Sequence, residues 1–127
     1  MSGGWFVTGT DTGVGKTRVS RLLLEALQRA GHSAAGMKPV ASGCDVTPHG
    51  LRSADAEALR VAGNVVADYE AINPYALAAP TAPHLAAAAS GMQIDIATMR
   101  AQYARLAARA DDVVVEAFGA GTDTVQA

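Results

Sequence analysis

The sequence has 127 residues, 50% of them hydrophobic, and a formal net charge of −2. This size fits one globular domain over residues 1–127, and the charge leaves no basic face with which to bind nucleic acid. The single cysteine, Cys44, excludes a disulfide framework within the chain and suits a reducing cytoplasm. No cationic leader precedes the first apolar run, and no apolar run is long enough to span a bilayer, so we expect no membrane partner.

The first third of the chain alternates between short apolar strands and an amphipathic helix. Residues 5–8 form an apolar run that meets a loop rich in Gly, Thr and Asp, which is typical of a buried strand entering a turn. Apolar residues at spacings of three and four predict a helix over 16–30, capped by Gly31. The predicted apolar stripe of this helix consists of Val19, Leu22, Leu23, Ala26, Leu27 and Ala30. A second short strand covers 34–37 and is ended by Pro39.

The rest of the chain is predicted to hold three helices and a last strand. A loop over 41–52 leads to Ser53, which can cap a helix that runs to about residue 62 and ends at Gly63. Residues 64–83 contain too many Pro, Asn and Gly residues for a long element, and a short alanine-rich helix follows over 84–90. Asp95 can cap the next helix, and residues 113–116 form a buried strand. The apolar stripe expected on that last helix is Ile96, Met99, Tyr103, Leu106 and Ala110.

The alternation of strands and helices predicts an α/β fold. Such strands pair in parallel through right-handed crossovers, which gives a sheet with helices on both faces. Only three strands are predicted, whereas sheets of this kind usually have five or more. We therefore expect a truncated domain, in which the position beside the last strand is left without a neighbouring strand and is exposed and apolar.

A glycine-rich loop joins the first strand to the first helix and ends in Gly15-Lys16-Thr17. In such a loop the backbone N–H groups point at phosphates, and the N-terminus of the helix adds a partial positive charge. We expect Lys16 to reach the β- and γ-phosphates of ATP and Thr17 to place its hydroxyl on Mg²⁺. Five residues rather than the usual four separate Gly9 from Gly15. The motif nevertheless favours phosphate binding over a chance turn and indicates a P-loop NTPase-like sheet.

Four further polar residues are candidates to complete this site. Lys38 lies at the end of the second strand and Ser42 just beyond it, at the edge where open α/β sheets bind ligands. A solvated lysine at a strand end explains Lys38 equally well, and an ordinary loop hydroxyl explains Ser42 more simply than a role in the site. Asp55 lies in the first turn of a helix, where the macrodipole favours an acidic residue with or without a metal. Glu116 ends an apolar run, and for it we favour a Mg²⁺-binding role over a surface charge.

Read together, these motifs resemble the dethiobiotin synthetase family. The matching segments, in the order that the family has them, are residues 6–17, 37–43, 51–56, 72–75, 79–84 and 114–116. The first segment includes the extra residue of the loop, and the resemblance covers nearly the whole chain up to Glu116. It implies an ATP- and Mg²⁺-dependent ligase of biotin biosynthesis, which closes the ureido ring of dethiobiotin on 7,8-diaminononanoate with CO₂. It also implies a homodimer for the full-length protein.

The resemblance implies a role for each matched residue. Those around the ATP phosphates are Gly13, Val14, Gly15, Lys16, Thr17 and Arg18, with Asp55 and Glu116 close by. Thr17, Asp55 and Glu116 would hold Mg²⁺. Lys38 would be the catalytic lysine, and Ser42 and Thr12 would lie near the diamine or its carbamate.

Residues 117–127 depart from the family pattern, which continues with a glycine-rich stretch and further strands and helices. Two alternatives therefore stay open. One is a related P-loop ATPase, of the partitioning or cobyrinic-acid amidating type, and the other is a non-catalytic nucleotide-binding fragment. Partitioning ATPases carry a second lysine just after the first P-loop position, and Asp11 in that place argues against them.

Overall fold

The computed structural model describes residues 3–8 and 14–117, with only the main chain of Val14. The elements in chain order are β1 (Gly3–Val7), α1 (Val14–Arg29), β2 (Ala34–Met37), β3 (Val40–Ala41), β4 (Asp45–Thr47), β5 (Gly50–Arg52), α2 (Ala54–Ala62), α3 (Tyr69–Ile72), β6 (Tyr75–Ala76), α4 (Pro83–Ala89), α5 (Ile96–Ala107) and β7 (Asp112–Glu116). The strands β1, β7 and β2 form the main sheet, in that order. Two small two-stranded sheets, β3 with β6 and β4 with β5, lie beside it.

The main sheet is parallel throughout. In its register, Val7 lies opposite Glu116 and Met37 lies opposite Val115. All five residues of β7 are buried, as expected for a strand with neighbours on both sides and helices on both faces. The α/β prediction is confirmed, but the expected place of the last strand is wrong, because β7 inserts between β1 and β2. Within the main sheet it is the outer strand β1 that exposes large apolar residues, with Trp5 45% and Phe6 68% exposed.

Helices pack on both faces of this sheet. Successive side chains of a strand point to opposite faces, and β7 shows this directly. Val114 packs with Leu24 of α1 and Leu59 of α2 in one apolar cluster. Val113 packs with Leu106 of α5 on the other face. The two clusters form the core that holds the carboxyl ends of the strands in place.

The apolar face predicted for α1 is wrong in part. Its members Val19, Leu22, Ala26 and Ala30 are exposed. The buried face instead runs through Ser20, Leu24 and Leu27, which packs α1 against β7 and β2. Gly36 of β2 lets both α1 and α2 pack closely, since a Cβ atom there would lie 3.2 Å from Cδ1 of Leu24 and 2.8 Å from Cβ of Leu59. The same face of α1 carries the buried residues Lys16 and Thr17 towards the sheet.

The predicted caps Ser53, Gly63 and Gly31 are confirmed, whereas the predicted loop over 41–52 is wrong. The Oγ atom of Ser53 accepts the N–H of Ala56 at 3.2 Å, and α2 ends at its C-cap Gly63. Gly31 follows α1 with a φ of 90°, in the left-handed region that glycine favours. The supposed loop contains β3 and the β4–β5 hairpin, whose turn uses Gly50 at a φ of 102°.

In the described ranges, no helix is both long and apolar enough to cross a bilayer.

Candidate functional site

The carboxyl ends of β1, β7 and β2 lie side by side at one edge of the main sheet. Glu116 is the last residue of β7, and Lys38 directly follows β2. Because the strands are parallel, both side chains lie at this edge, and both are buried, with Glu116 1% and Lys38 7% exposed. The first turn of α1, with Thr17, approaches the same edge. The fold thus gathers three of the predicted site residues.

Glu116 is the centre of this group. Its Oε2 atom accepts a hydrogen bond from Nζ of Lys38 and another from Oγ1 of Thr17, each at 3.0 Å. A buried carboxylate is tolerated when it is paired and hydrogen-bonded, and Lys38 supplies the opposite charge. Lys38 is therefore not the solvated lysine that the sequence left as an alternative, since it is nearly inaccessible and ion-paired.

The other carboxylate oxygen of Glu116, Oε1, is buried and has no hydrogen-bond partner in the part of the chain that the structure describes. The same is true of Oγ of Ser20, which lies one helical turn after Thr17. A buried acceptor left without a donor is rare, and it suits a ligand that brings a positive charge or a donor. Ser20 was not predicted from the sequence. The signal available was its spacing of three and four residues from Thr17 and Lys16, which puts all three on one helix face.

The other residues predicted to bind phosphate lie at the start of α1. Lys16 is buried, at 4% exposed, and Arg18 is exposed. A Cβ atom on Gly15 would meet no other atom of the described residues within 4 Å. Gly13 and Thr12 lie outside the described residues. α1 begins at Val14, and Thr17 in its first turn contacts Glu116, so the N-terminus of this helix, which favours anions, lies close to the edge of the sheet.

Asp55 lies in the first turn of α2 and is partly exposed. Its carboxylate makes no hydrogen bond or ion pair with another residue of the described ranges. Across residues 3–8 and 14–117, no group of three or more His, Cys, Asp or Glu side chains is arranged to hold a metal ion. The expected ligand set of Asp55 with Thr17 and Glu116 combines two carboxylates with a hydroxyl, and it stays a prediction.

Ser42 directly follows β3 and is exposed. Its hydroxyl makes no hydrogen bond within the described part of the chain, which leaves it available to a ligand. The neighbouring Gly43 has a φ of 65°, and its N–H donates to the carbonyl of Ala79 at 3.0 Å, so the turn is held. Cys44 is buried and donates to the carbonyl of Ala41, and burial raises the pKa of its thiol. This cysteine therefore stays protonated and serves packing.

The main chain at Lys38 is fixed by contacts that the sequence did not reveal. The N–H of Lys38 donates to the carbonyl of Ile72 at 2.7 Å, and the carbonyl of Lys38 accepts from Nδ2 of Asn73 at 2.8 Å. Asn73 is itself buried, at 2% exposed. The signal in the sequence was an Asn-Pro pair in a segment rich in chain breakers, which indicates a turn rather than a buried amide.

A parallel sheet with helices on both faces, and a Gly-Lys-Thr sequence at the start of its first helix, define a P-loop nucleotide-binding fold. A family profile described as an AAA domain matches residues 4–126, and the chain belongs to this family.

Its relatives agree with the resemblance seen in the motifs. The chain is 53% identical over 115 residues to the ATP-dependent dethiobiotin synthetase BioD of Xanthomonas axonopodis pv. citri, which is 91% of this chain and 51% of that protein. It is 51% identical over 119 residues to the ATP-dependent dethiobiotin synthetase BioD of Serratia marcescens, covering 94% of this chain and 52% of that protein. The chain thus spans about half the length of the curated relatives it matches. The resemblance predicted from the motifs is confirmed.

Proposed function

We propose that this chain carries the ATP site and the catalytic lysine of a dethiobiotin synthetase. The reaction would close the ureido ring of dethiobiotin on 7,8-diaminononanoate with CO₂ and ATP, in biotin biosynthesis. The observation that carries the proposal is the buried contact of Lys38 and Thr17 with Glu116, at the end of a P-loop helix. Relatives named ATP-dependent dethiobiotin synthetase, with sequence identities of 53% and 51% to this chain, support the choice of this reaction over those of other P-loop ATPases.

The chemistry needs positive charge at the strand edge. One amine of the diamine adds to CO₂ and loses a proton, which gives a carbamate. A carbamate oxygen then attacks the γ-phosphorus of ATP as ADP leaves, and the second amine attacks the resulting mixed anhydride, closes the ring and releases phosphate. Lys16 would bind the β- and γ-phosphates, and Lys38 would offset charge on the carbamate and on the transferred phosphoryl group.

The residues present fit a hard divalent cation. Glu116 has one buried oxygen, Oε1, without a hydrogen-bond partner among the described residues, and the hydroxyl of Thr17 lies beside the other oxygen. Oxygen ligands of this kind are the ones that Mg²⁺ prefers, and we propose Thr17, Glu116 and Asp55 as those that would hold it. When bound, Mg²⁺ would neutralise charge on the phosphates of ATP.

Lys38 also needs freedom to change partner. Its ammonium group forms an ion pair with Glu116, and a cation held by Glu116 would compete for the same carboxylate. Lys38 would then turn its charge towards the phosphate and carbamate. The exposed Ser42, close in sequence to Lys38, offers a hydroxyl to the diamine or carbamate, and Thr12 and Gly13 are proposed from the resemblance alone.

Three broader expectations stay predictions. These are a homodimer, a cytoplasmic location and the absence of a nucleic-acid partner. None of them enters the reaction proposed here.

The proposal is tested by assaying the complete gene product beside the 127-residue chain. Each is given ATP, Mg²⁺, the diamine and labelled bicarbonate, and nucleotide affinity is measured in the same samples. We expect the complete gene product to incorporate label into dethiobiotin with one ADP formed per ring closed. ATP binding without label incorporation in the complete gene product would instead support the nucleotide-binding alternative.

A further inference from the structure

A buried chain of polar contacts joins the start of α2 to the main chain of Lys38. The N–H of Ser53, the N-cap of α2, donates to Oη of Tyr69 at 2.7 Å. The Tyr69 hydroxyl in turn donates to Oδ1 of Asn73 at 2.7 Å. The amide nitrogen of Asn73 donates to the carbonyls of Lys38 and Tyr75, at 2.8 and 3.1 Å.

Every residue in this chain of contacts is buried. The exposed fractions are 6% for Ser53, 9% for Tyr69, 2% for Asn73 and 7% for Lys38. In such surroundings a hydrogen bond has no water to replace it, so loss of one group leaves its partner unsatisfied. Burial also raises the pKa of Tyr69, which keeps its hydroxyl protonated and able to donate to Asn73.

The two ends of the chain of contacts carry two residues of the proposed reaction. At one end, Ser53 starts the helix whose first turn contains Asp55. At the other end, the main chain of Lys38 is clamped on both sides, by Asn73 at its carbonyl and by Ile72 at its N–H. Arg52, which precedes Ser53, lies over the ring of Tyr69, with its guanidinium carbon 4.0 Å from the ring centroid, and holds the ring in place.

We propose that Tyr69 and Asn73 are positioning residues, which set Lys38 and the start of α2 in register with each other for the reaction. This inference rests on the proposed function, because Lys38 is the group being positioned. Neither residue reaches the reacting atoms. They act by fixing the main chain from which the Lys38 side chain reaches Glu116. If the main chain of Lys38 shifted by a fraction of an ångström, the affinity for ATP in the ground state would stay the same. The ammonium group would, however, miss the position where charge develops in the transition state.

The test uses Tyr69→Phe in the complete gene product, which removes one hydroxyl and keeps the ring under Arg52. We expect kcat to fall on the order of 10- to 100-fold, with KM for ATP changed by less than about threefold. Asn73→Asp, which keeps the size but loses both N–H donors, should follow the same pattern. Equal losses in kcat and in ATP affinity, or kinetics like those of the parent, would overturn the inference.

Tyr75→Phe is the matched control. The Tyr75 hydroxyl also accepts a backbone N–H, from Asp95 at 2.9 Å at the start of α5, whereas among the described residues Asn73 hydrogen-bonds to Tyr75 only at its main-chain carbonyl. The control should keep the kcat of the parent. If Tyr75→Phe lowers kcat as much as Tyr69→Phe, the effect is general destabilisation and the inference is wrong.

A second measurement does not depend on turnover. Hydrogen exchange at the amides of Ser53 and Lys38 should become faster in Tyr69→Phe, while exchange across β7 stays as in the parent. If the parent makes no dethiobiotin yet shows this pattern, the proposed function fails and the anchoring of Lys38 by Tyr69 is supported. If exchange at Lys38 is unchanged, the anchoring itself is contradicted, whatever the parent catalyses.

Discussion

The ammonium group of Lys38 lies 3.0 Å from Oε2 of Glu116, although the two residues are 78 positions apart in the sequence. Each directly ends or follows a strand, and the strands are neighbours in one parallel sheet. The contact therefore depends on the pairing of β2 with β7 and not on local sequence. It leaves a buried pair of charges at the edge of the sheet where ligands bind in such folds.

The first prediction concerns Lys16. Lys16→Ala should weaken ATP binding by about tenfold to a hundredfold, because a charge-assisted contact to phosphate contributes roughly 1.5–3 kcal/mol. Isothermal titration with ATP measures this. Arg21→Ala, an exposed residue of the same helix, is the control and should bind like the parent. Undiminished affinity in Lys16→Ala would show that Lys16 does not contact the phosphates.

The second prediction concerns the metal. Glu116→Gln and Asp55→Asn should each raise the Mg²⁺ concentration needed for half-maximal nucleotide binding, since a neutral amide is a poorer ligand for a hard cation. Asp45→Asn, an exposed carboxylate of β4, should leave it unchanged. A response from Glu116→Gln alone would remove Asp55 from the ligand set, and a response from neither would remove both.

The third prediction concerns an ion pair at the opposite end of the sheet. Nδ1 of His32 lies 2.5 Å from Oδ2 of Asp112, whose other oxygen accepts from Nε1 of Trp5 at 3.2 Å. The hydrogen bond to Asp112, its charge and that of Asp111 raise the pKa of His32 above 6.5. The hydrogen bond from His32 lowers the pKa of Asp112 below 3.8.

The two shifts define a pH window. Stabilisation through His32 is present below its ordinary pKa of 6.5 and is lost as the pH rises through the raised value. Stabilisation through Asp112 is present above 3.8 and is lost as the pH falls through the lowered value. The free energy of unfolding of the parent should therefore exceed that of His32→Gln by the largest amount between these pH values. High salt should reduce this difference. His49→Gln, at an exposed histidine, is the control, and the same pH profile in both variants would contradict the prediction.

The fourth prediction separates the buried face of α1 from the expected one. Leu24→Ala should lower the free energy of unfolding by about 2–5 kcal/mol, because Leu24 is 0% exposed and its removal leaves a cavity. Leu22→Ala should change it by about 0.5 kcal/mol or less, as Leu22 is 57% exposed. Urea unfolding of both variants measures the difference. Equal losses of unfolding free energy in Leu24→Ala and Leu22→Ala would contradict the buried face seen in the structure and support the apolar stripe predicted from spacing.

Local features of the fold followed from the sequence, and long-range ones did not. The cap residues Ser53 and Gly63 predicted the ends of α2, because caps satisfy groups within a few residues. The position of β7 between β1 and β2 depends on pairing over more than 70 residues, which no local pattern encodes. The β4–β5 hairpin was missed although Gly50, two residues after a proline, was a turn signal.

The residues of the candidate site also fall into those that a local sequence pattern indicates and those that only the fold identifies. The P-loop motif and the strand ends indicated Lys16, Lys38 and Glu116, since each has a recognisable residue type at a recognisable junction. Tyr69 carries no such mark, and the Asn-Pro pair at Asn73 indicated only a turn, because a buried hydroxyl and a buried amide take their meaning only from the groups they contact. Only the folded arrangement brings them to the main chain of Lys38.

The most direct test of this account is the single-turnover rate of Lys38→Gln in the complete gene product. With ATP, Mg²⁺, the diamine and bicarbonate bound, we expect formation of ADP and dethiobiotin to slow by roughly two to three orders of magnitude, as for other preorganised charges. Equilibrium ATP affinity should stay within about threefold of the parent, because Lys16 and the helix N-terminus hold the ground-state phosphates. Arg21→Gln is the charge-matched control, and unfolding is followed in both variants, since Lys38→Gln leaves Glu116 without its buried cation. A well-folded Lys38→Gln that keeps most of the single-turnover rate would contradict the assignment of Lys38 as the catalytic lysine.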